Sequence, residues 1–380
     1  MPPGLTIRLV DRRSAISRYP VRAGIKWEKG DALRRIAIAL GAVALAAVLT
    51  TAASAAKPRS NSSTGTGRVF VPNPVADLGV GTFAFRESLT DQKDADFAAL
   101  GPAYHEETLT NLDGSGYLRG DYATIRSETG NPAYSSTNTF DYNRHQDEFE
   151  QVMAYYWITE SQKYIQSLGF GTRFTGIDDQ PQRVRINQLG YDNSFETDHP
   201  VLELRFGKGG VDDAEDAEVI LHEYGHAIHS SQNFSFASEE AGAISEGFGD
   251  YWALTVSDVV SHADNVAVSS DLPCIADWDS TSYTSTVPHC LRRTDLDLHY
   301  PTDLNGEVHH DGQIWSRALW DIRQALGHQV ADTIILAGSF DFPGTTMPVL
   351  AQRTVTAAQQ LYDPATAAVV EAAFHARGIL

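Results

Sequence analysis

Cysteine is nearly absent from this 380-residue chain, which contains only Cys274 and Cys290. Two cysteines so placed cannot build a cysteine-based metal site, so any zinc would need histidine and carboxylate ligands. In an exported protein the pair would form one disulfide, with two buried free thiols as the alternative. We therefore predict a Cys274–Cys290 disulfide that closes a short loop.

Basic residues are scarce beyond the N-terminal region. Residues 1–57 hold ten of the 29 Lys and Arg residues and three of the 49 Asp and Glu residues, so the remainder carries a net charge of −27. A surface this acidic repels nucleic acids and anionic lipids. We expect a monomer with no nucleic-acid partner.

Long apolar runs are also rare, and the clearest one lies near the N-terminus. Residues 1–35 are polar and basic, residues 36–56 are apolar or small, and the run ends in Ala53-Ser54-Ala55 and one more alanine. This order is typical of a secretory signal peptide with a small-residue cleavage site. The run is also about long enough to span a bilayer, so an uncleaved membrane anchor is the alternative. Either interpretation places the rest of the chain outside the cytoplasm.

Residue patterns divide the remaining chain into a strand-rich part and a helical part. Residues 57–67 have the composition of a flexible linker, and the fold is predicted to begin near Arg68. Periodicity predicts a hairpin over 108–125 with its turn at Asp113-Gly114, strands over 184–186 and 201–206, and helices over 147–168, 313–326, 330–338, 348–362 and 366–377. The sequence therefore predicts an α+β fold with an N-terminal lobe at 68–232, a helical C-terminal lobe at 233–380 and a site between them.

The segment HEYGH at residues 222–226 has the pattern of a zinc site. His222 and His226 are one turn apart on a predicted helix, so both rings can reach one ion. Glu223 is close enough to act on a water molecule at that ion. Asp212 or Asp213 is predicted to cap this helix at its N-terminus.

Glu246 and Asp250 supply the rest of a zinc site. They lie one turn apart on a second helix, which is predicted to begin after Ser245. Glu246 is the predicted third ligand, and Asp250 is predicted to accept the other ring N–H of His222.

Other candidates for the third ligand are less suitable. His229 shares the helix face of His226 but lies about 4.5 Å further along the axis, too far to share the ion. Glu239 and Glu240 fall in a predicted loop, where solvated carboxylates are expected.

Several of these motifs together resemble the thermolysin and fungalysin groups of zinc endopeptidases. The similar features are HEYGH, the 19-residue gap before Glu246, Gly242-Ala243-Ile244 and EGFGD at residues 246–250. The resemblance implies a thermolysin-like two-lobed fold, zinc as the cofactor and a peptide or protein substrate.

The resemblance also implies further site residues. By similarity, the thermolysin-like segment YDNSF implies Asn193 and Ser194, the pair Leu291-Arg292 implies Arg292, and the fungalysin-like segment EVHH implies His309. Asn193 and Ser194 would bind the substrate main chain, and Arg292 the carbonyl after the scissile bond. His309 would be the second catalytic histidine. Arg293 is the alternative candidate to Arg292, and His310 is the alternative candidate to His309.

The chain departs from the thermolysin pattern at several positions. Ala237 stands where thermolysin has an oxyanion-binding tyrosine, and Ser245 stands where it has an asparagine. Glu218 falls where thermolysin has a Ca²⁺ ligand, so bound calcium is a further implication. The missing tyrosine motivates one alternative function, a catalytically weak binding protein of the same fold. An exopeptidase is the other alternative.

Overall fold

Two small sheets and eight α-helices form the part of the chain that the computed structural model describes, which is residues 63–79, 98–126, 131–197, 200–268 and 272–380. These residues belong to one compact unit, Thr51–Leu380. The predicted signal peptide or anchor lies outside the described residues. Among the described helices, none is long and apolar enough to cross a membrane.

The first sheet has the order β2-β1-β4. Strand β1 (Ser63–Phe70) pairs antiparallel with β2 (Tyr104–Leu112) and parallel with β4 (Thr139–Phe140). The strand thus includes Ser63 to Gly67, which the composition predicted as linker. The predicted hairpin over 108–125 is confirmed only in part: Leu112 at the end of β2 bridges antiparallel to Gly120, whereas most of β2 pairs with β1.

The second sheet has the order β3-β5-β7-β6. Strands β3 (Ala123–Ile125), β5 (Gln182–Leu189) and β7 (Glu203–Gly209) are parallel, and β6 (Phe195–Thr197) pairs antiparallel with β7. A short β8 (Val211–Asp212) also pairs with β7. The predicted strand over 201–206 corresponds to β7, which lies between β5 and β6. The edge strands of this sheet are β3 and β6.

Helix α2 joins the two sheets. After α1 (Pro74–Leu78), α2 spans Asp147–Ser167, with three acidic residues in its first turn that complement the helix dipole. It packs against β1, β3 and β5. Trp157 is fully buried and donates its indole N–H to the Phe70 carbonyl of β1. The aromatic stripe on this helix is therefore core.

Six helices follow the second sheet: α3 (Ala217–Ser231), α4 (Glu239–Ala263), α5 (Val308–Leu326), α6 (His328–Ser339), α7 (Met347–Leu361) and α8 (Pro364–Ala376). The predicted α+β class is confirmed, with strands before residue 213 and mainly helices after it. Helix α4 begins at Glu239 rather than after Ser245, because Ser238 caps it by accepting from the Ala241 N–H. The loop between α4 and α5 contains the predicted Cys274–Cys290 disulfide.

Candidate metal centre and active site

Helix α3 places both histidines of the HEYGH segment on one side. Asp216, rather than Asp212 or Asp213, is its N-cap, and the Asp216 carboxylate accepts from the Glu218 N–H at 2.9 Å. The helix is buried over most of its circumference, which fixes its rotation. The rings of His222 and His226 follow one another with their centroids 5.0 Å apart.

Glycines allow α4 to approach both of its neighbours closely. A Cβ at Gly249 would lie 2.7 Å from His222 Nδ1, so only glycine leaves room for that ring. A Cβ at Gly247 would lie 2.2 Å from the Gly312 carbonyl oxygen of α5. The two glycines of EGFGD therefore bring Glu246 between the histidine helix and α5.

His222, His226 and Glu246 form a group that could hold one metal ion. Their potential ligand atoms all lie within 4.8 Å of one another. Nε2 of His222 is 3.3 Å from Glu246 Oε2, and Nε2 of His226 is 3.6 Å from Oε1. Glu246 Oε2 is buried and has no hydrogen-bond partner among the described residues. Two imidazole nitrogens and a carboxylate with an unsatisfied oxygen fit zinc.

The electrostatics of this group favour an anionic Glu246 beside the two imidazoles. Burial opposes ionisation of Glu246, but its contacts with His222 and His226 outweigh burial and lower its pKa. Burial lowers the pKa of His226 to about 4, which keeps that ring neutral and able to bind a metal.

Asp250 links His222 to Arg292. An Asp250 oxygen lies 3.0 Å from His222 Nδ1, as predicted for a residue that orients this ring. The Arg292 guanidinium donates to both Asp250 oxygens, at 2.8 and 2.6 Å. Arg293 pairs with Asp295 instead. The geometry therefore places Arg292 at the site, with its two shortest hydrogen bonds directed to Asp250 and two longer ones to His222.

Ser245 orients the other histidine, a role that sequence reasoning missed. Its hydroxyl lies 2.8 Å from His226 Nδ1 and 3.2 Å from His229 Nδ1. The His229 ring stacks between Phe234 and Phe248, with centroid distances of 4.1 and 4.2 Å. His229 is thus a core residue that helps to hold Ser245, and it is not close enough to join the metal group.

We expect Ser245→Ala to weaken zinc binding about 10-fold or more, because loss of such an outer contact typically costs that much affinity. Competition with a zinc-binding dye measures the change. Ser245→Thr keeps the hydroxyl and should restore most of the affinity. An alanine variant with parental zinc affinity would show that the hydroxyl has no orienting role.

Glu223 lies in α3 beside the metal group. The residue is buried, and its Oε2 has no hydrogen-bond partner within the described part of the chain. Burial raises the pKa of Glu223 to about 8, with Glu246 adding to the rise and His222 opposing it. A carboxyl with an unsatisfied oxygen beside the metal group is placed to exchange a proton with a water molecule at the ion.

His309 reaches the site from α5. Its Nε2 lies 3.5 Å from Glu246 Oε2, and its Nδ1 lies 2.6 Å from Glu307 Oε1. Glu307 also caps the helix through the N–H groups of His309 and His310. Burial opposes ionisation of Glu307, but these contacts outweigh it and lower its pKa. His310 contacts Asp311 instead, so the geometry favours His309 over His310.

Asn193 and Ser194 directly precede the edge strand β6, which packs against α3. Asn193 is exposed, whereas the Ser194 hydroxyl donates to Asp213. The structure therefore places both residues at an open sheet edge beside the histidine helix. An edge of this kind can pair with an extended peptide.

The remaining sequence candidates are not part of the metal group. Ala237 is exposed just before α4. Glu239 is exposed in the first turn of α4, and Glu240 accepts from the Met347 N–H. Both carboxylates are therefore helical rather than in a loop. Glu218 is buried, with Oε1 accepting from Ser257 and Oε2 from the Ala276 N–H.

Comparison with known proteins adds independent support. The model of the fungalysin metallopeptidase family (M36) matches residues 152–372, which include all the predicted metal and catalytic residues. No curated protein sequence matches the chain. A solved structure, the precursor of protealysin, a metalloproteinase from Serratia proteamaculans, matches with a TM-score of 0.51 and 18% identity over 79% of this chain and 97% of that chain. At this identity the structural match supports the fold alone.

Proposed function

Because the chain belongs to the fungalysin family of metallopeptidases, we propose that it is an endopeptidase that binds zinc through His222, His226 and Glu246. The observation that supports this assignment is the group of three potential ligand atoms within 4.8 Å of one another. Zinc at this position supplies Lewis acidity, which polarises a peptide carbonyl and acidifies a water molecule.

Glu223 is the proposed general base. It would accept the proton of the attacking water and return it to the leaving amine. Its position beside the metal group and its buried Oε2 atom, which has no hydrogen-bond partner among the described residues, support both transfers. His309 would donate from Nε2 to the developing oxyanion, while Glu307 holds Nδ1 and fixes the ring.

The substrate would lie along β6. Asn193 and Ser194 would bind its main chain, and Arg292 would contact the carbonyl after the scissile bond. The Asp250 carboxylate would hold Arg292 in place, since both of its oxygens accept from the guanidinium. Asp250 also contacts His222, so one carboxylate would position a metal ligand and a substrate-binding group.

We also propose that the protein acts outside the cytoplasm as a secreted monomer, or as an anchored one if residues 36–56 are retained. The Cys274–Cys290 disulfide supports an oxidising compartment. The N-terminal lobe at 68–232 and the C-terminal lobe at 233–380 remain the proposed division of the fold.

Removal of zinc is expected to abolish peptide cleavage, and stoichiometric zinc should restore it. The reason is that the protein side chains alone supply no Lewis acid to polarise the peptide carbonyl. Metal analysis and a peptide library, with and without a zinc chelator, measure this. Cuts inside the peptides support an endopeptidase, whereas cuts confined to one terminus indicate an exopeptidase. Cleavage that persists in zinc-free protein would overturn the proposal.

A further inference from the structure

A second group of acidic side chains lies outside the zinc group. Asp192 precedes β6, Asp213 begins the 3₁₀ turn before α3, and Asp279 begins the 3₁₀ turn Asp279–Ser282 in the disulfide-containing loop. One carboxylate oxygen from each lies within 4.8 Å of the others. Oxygens bound to a common Ca²⁺ at about 2.4 Å are at most about 4.8 Å apart, so the spacing fits one ion.

Two of these carboxylates are buried and incompletely satisfied. Asp213 and Asp279 are 3% and 5% exposed. Oδ1 of each has no hydrogen-bond partner among the residues that the structure describes. None of the three carboxylates pairs with a described Lys, Arg or His side chain. Buried carboxylate oxygens without a donor or a cation are costly, which points to a missing positive charge.

The surrounding structure holds these carboxylates in place through their other atoms. Asp213 Oδ2 accepts from the Ser194 hydroxyl, and Asp279 Oδ2 accepts from the Tyr283 hydroxyl at 2.9 Å. The Asp279 N–H donates to Asp216 at 3.1 Å. Each buried carboxylate therefore keeps one oxygen for a ligand while the other fixes its orientation.

A shared proton is the main rival to a bound cation. Burial, together with repulsion from Asp213, raises the pKa of Asp192 to about 7, and burial raises the pKa of Asp213 to about 6. Three carboxyls this close cannot all ionise without a compensating charge. Either a proton or a cation can supply the compensating charge. Only a cation can also bind one carboxylate oxygen from each of the three segments.

We propose that Asp192, Asp213 and Asp279 bind one Ca²⁺ ion. The group offers oxygen ligands only, which hard cations prefer over zinc. Calcium also tolerates irregular ligand geometry, unlike Mg²⁺, which suits carboxylates that come from three unrelated segments. This site is separate from Glu218, both of whose oxygens already accept hydrogen bonds.

The ion joins the substrate edge to the catalytic helix. Asp192 is adjacent to Asn193 and Ser194, whereas Asp213 lies four residues before α3. Calcium therefore fixes the segment that would bind the substrate main chain against the start of the helix that carries the metal ligands. The effect on substrate binding depends on the proposed function, but ion binding and stability do not.

Calorimetry on zinc-loaded protein carrying Glu223→Gln, which prevents self-cleavage, tests the site with CaCl₂ alone as the probe. We expect one Ca²⁺ per chain with a Kd on the order of 10⁻⁴ M, as in extracellular calcium sites. At 5 mM CaCl₂ the Tm should rise by about 5 °C. Asp192→Asn and Asp279→Asn should each lower the affinity at least 10-fold and remove the Tm shift.

Glu218→Gln is the matched control and should keep both the binding and the Tm shift. Loss of binding in Glu218→Gln with retention in Asp192→Asn would overturn the proposal. The proposal would also be overturned if the parent bound no calcium and Asp279→Asn were more stable than the parent in calcium-free buffer. That combination identifies a shared proton in place of a cation. If Asp279→Asn does not fold, the less buried Asp192→Asn decides. In the active enzyme, calcium removal should raise KM for long peptides more than it lowers kcat.

Discussion

Glu223→Gln is expected to lower kcat for peptide cleavage by about 10²–10⁴-fold while the protein keeps its zinc. The amide is nearly isosteric with the carboxylate, so α3 and the positions of His222 and His226 should not change. The amide cannot accept a proton from water, however, and this removes the base step. Casein or peptide turnover and metal analysis on the same preparation measure the two effects separately.

Glu239→Gln is the matched control for that substitution, since Glu239 is exposed in the first turn of α4. It should cleave at the parental rate. If Glu223→Gln cleaved casein at the parental rate with zinc bound, another group would have to be the base. If it lost zinc, the substitution would have disturbed the ligands and would say nothing about proton transfer.

Helices with strong local signals could be predicted from the sequence. The segment at 147–168 was predicted within one residue of α2, because apolar residues recur at helical spacing over six turns. The start of α4 was missed. Ser238 carries the capping signal, but Gly242, a poor helix former, weakens the helical pattern that follows it.

Strand pairing could not be predicted in the same way. The segment at 108–125 contains turn residues and alternating apolar positions, yet its hairpin is limited to one bridge, and most of β2 pairs with β1, which lies some 40 residues earlier in the chain. Which strands form the edges of a sheet depends on such long-range pairing, and only the fold shows that β3 and β6 are the edges of the second sheet. Local patterns give the strand and its faces, but not its neighbours.

In the candidate site, too, local sequence patterns predict some features and only the fold reveals the others. Spacing along two helices was enough to predict that His222, His226 and Glu246 meet, and the structure brings them together. The contacts that position them required the fold. Arg292 lies 42 residues after Asp250, and no local pattern predicts that pair. The acidic group of Asp192, Asp213 and Asp279 is likewise formed by segments that are distant from one another in the sequence.

His309→Gln is expected to lower kcat by about 10²–10³-fold with little change in zinc content, as for loss of a single oxyanion donor. We expect a large effect because the thermolysin resemblance implies that Ala237 replaces a tyrosine that donates to the oxyanion. Without that donor, His309 would stabilise a larger share of the oxyanion charge. His310→Gln is the matched control, since His310 contacts Asp311 and not the metal group. It should change kcat less than about threefold, well below the effect of a catalytic group. Steady-state kinetics on both variants decide the assignment: a large loss in His310→Gln with a small one in His309→Gln would place the oxyanion donor one residue further along α5.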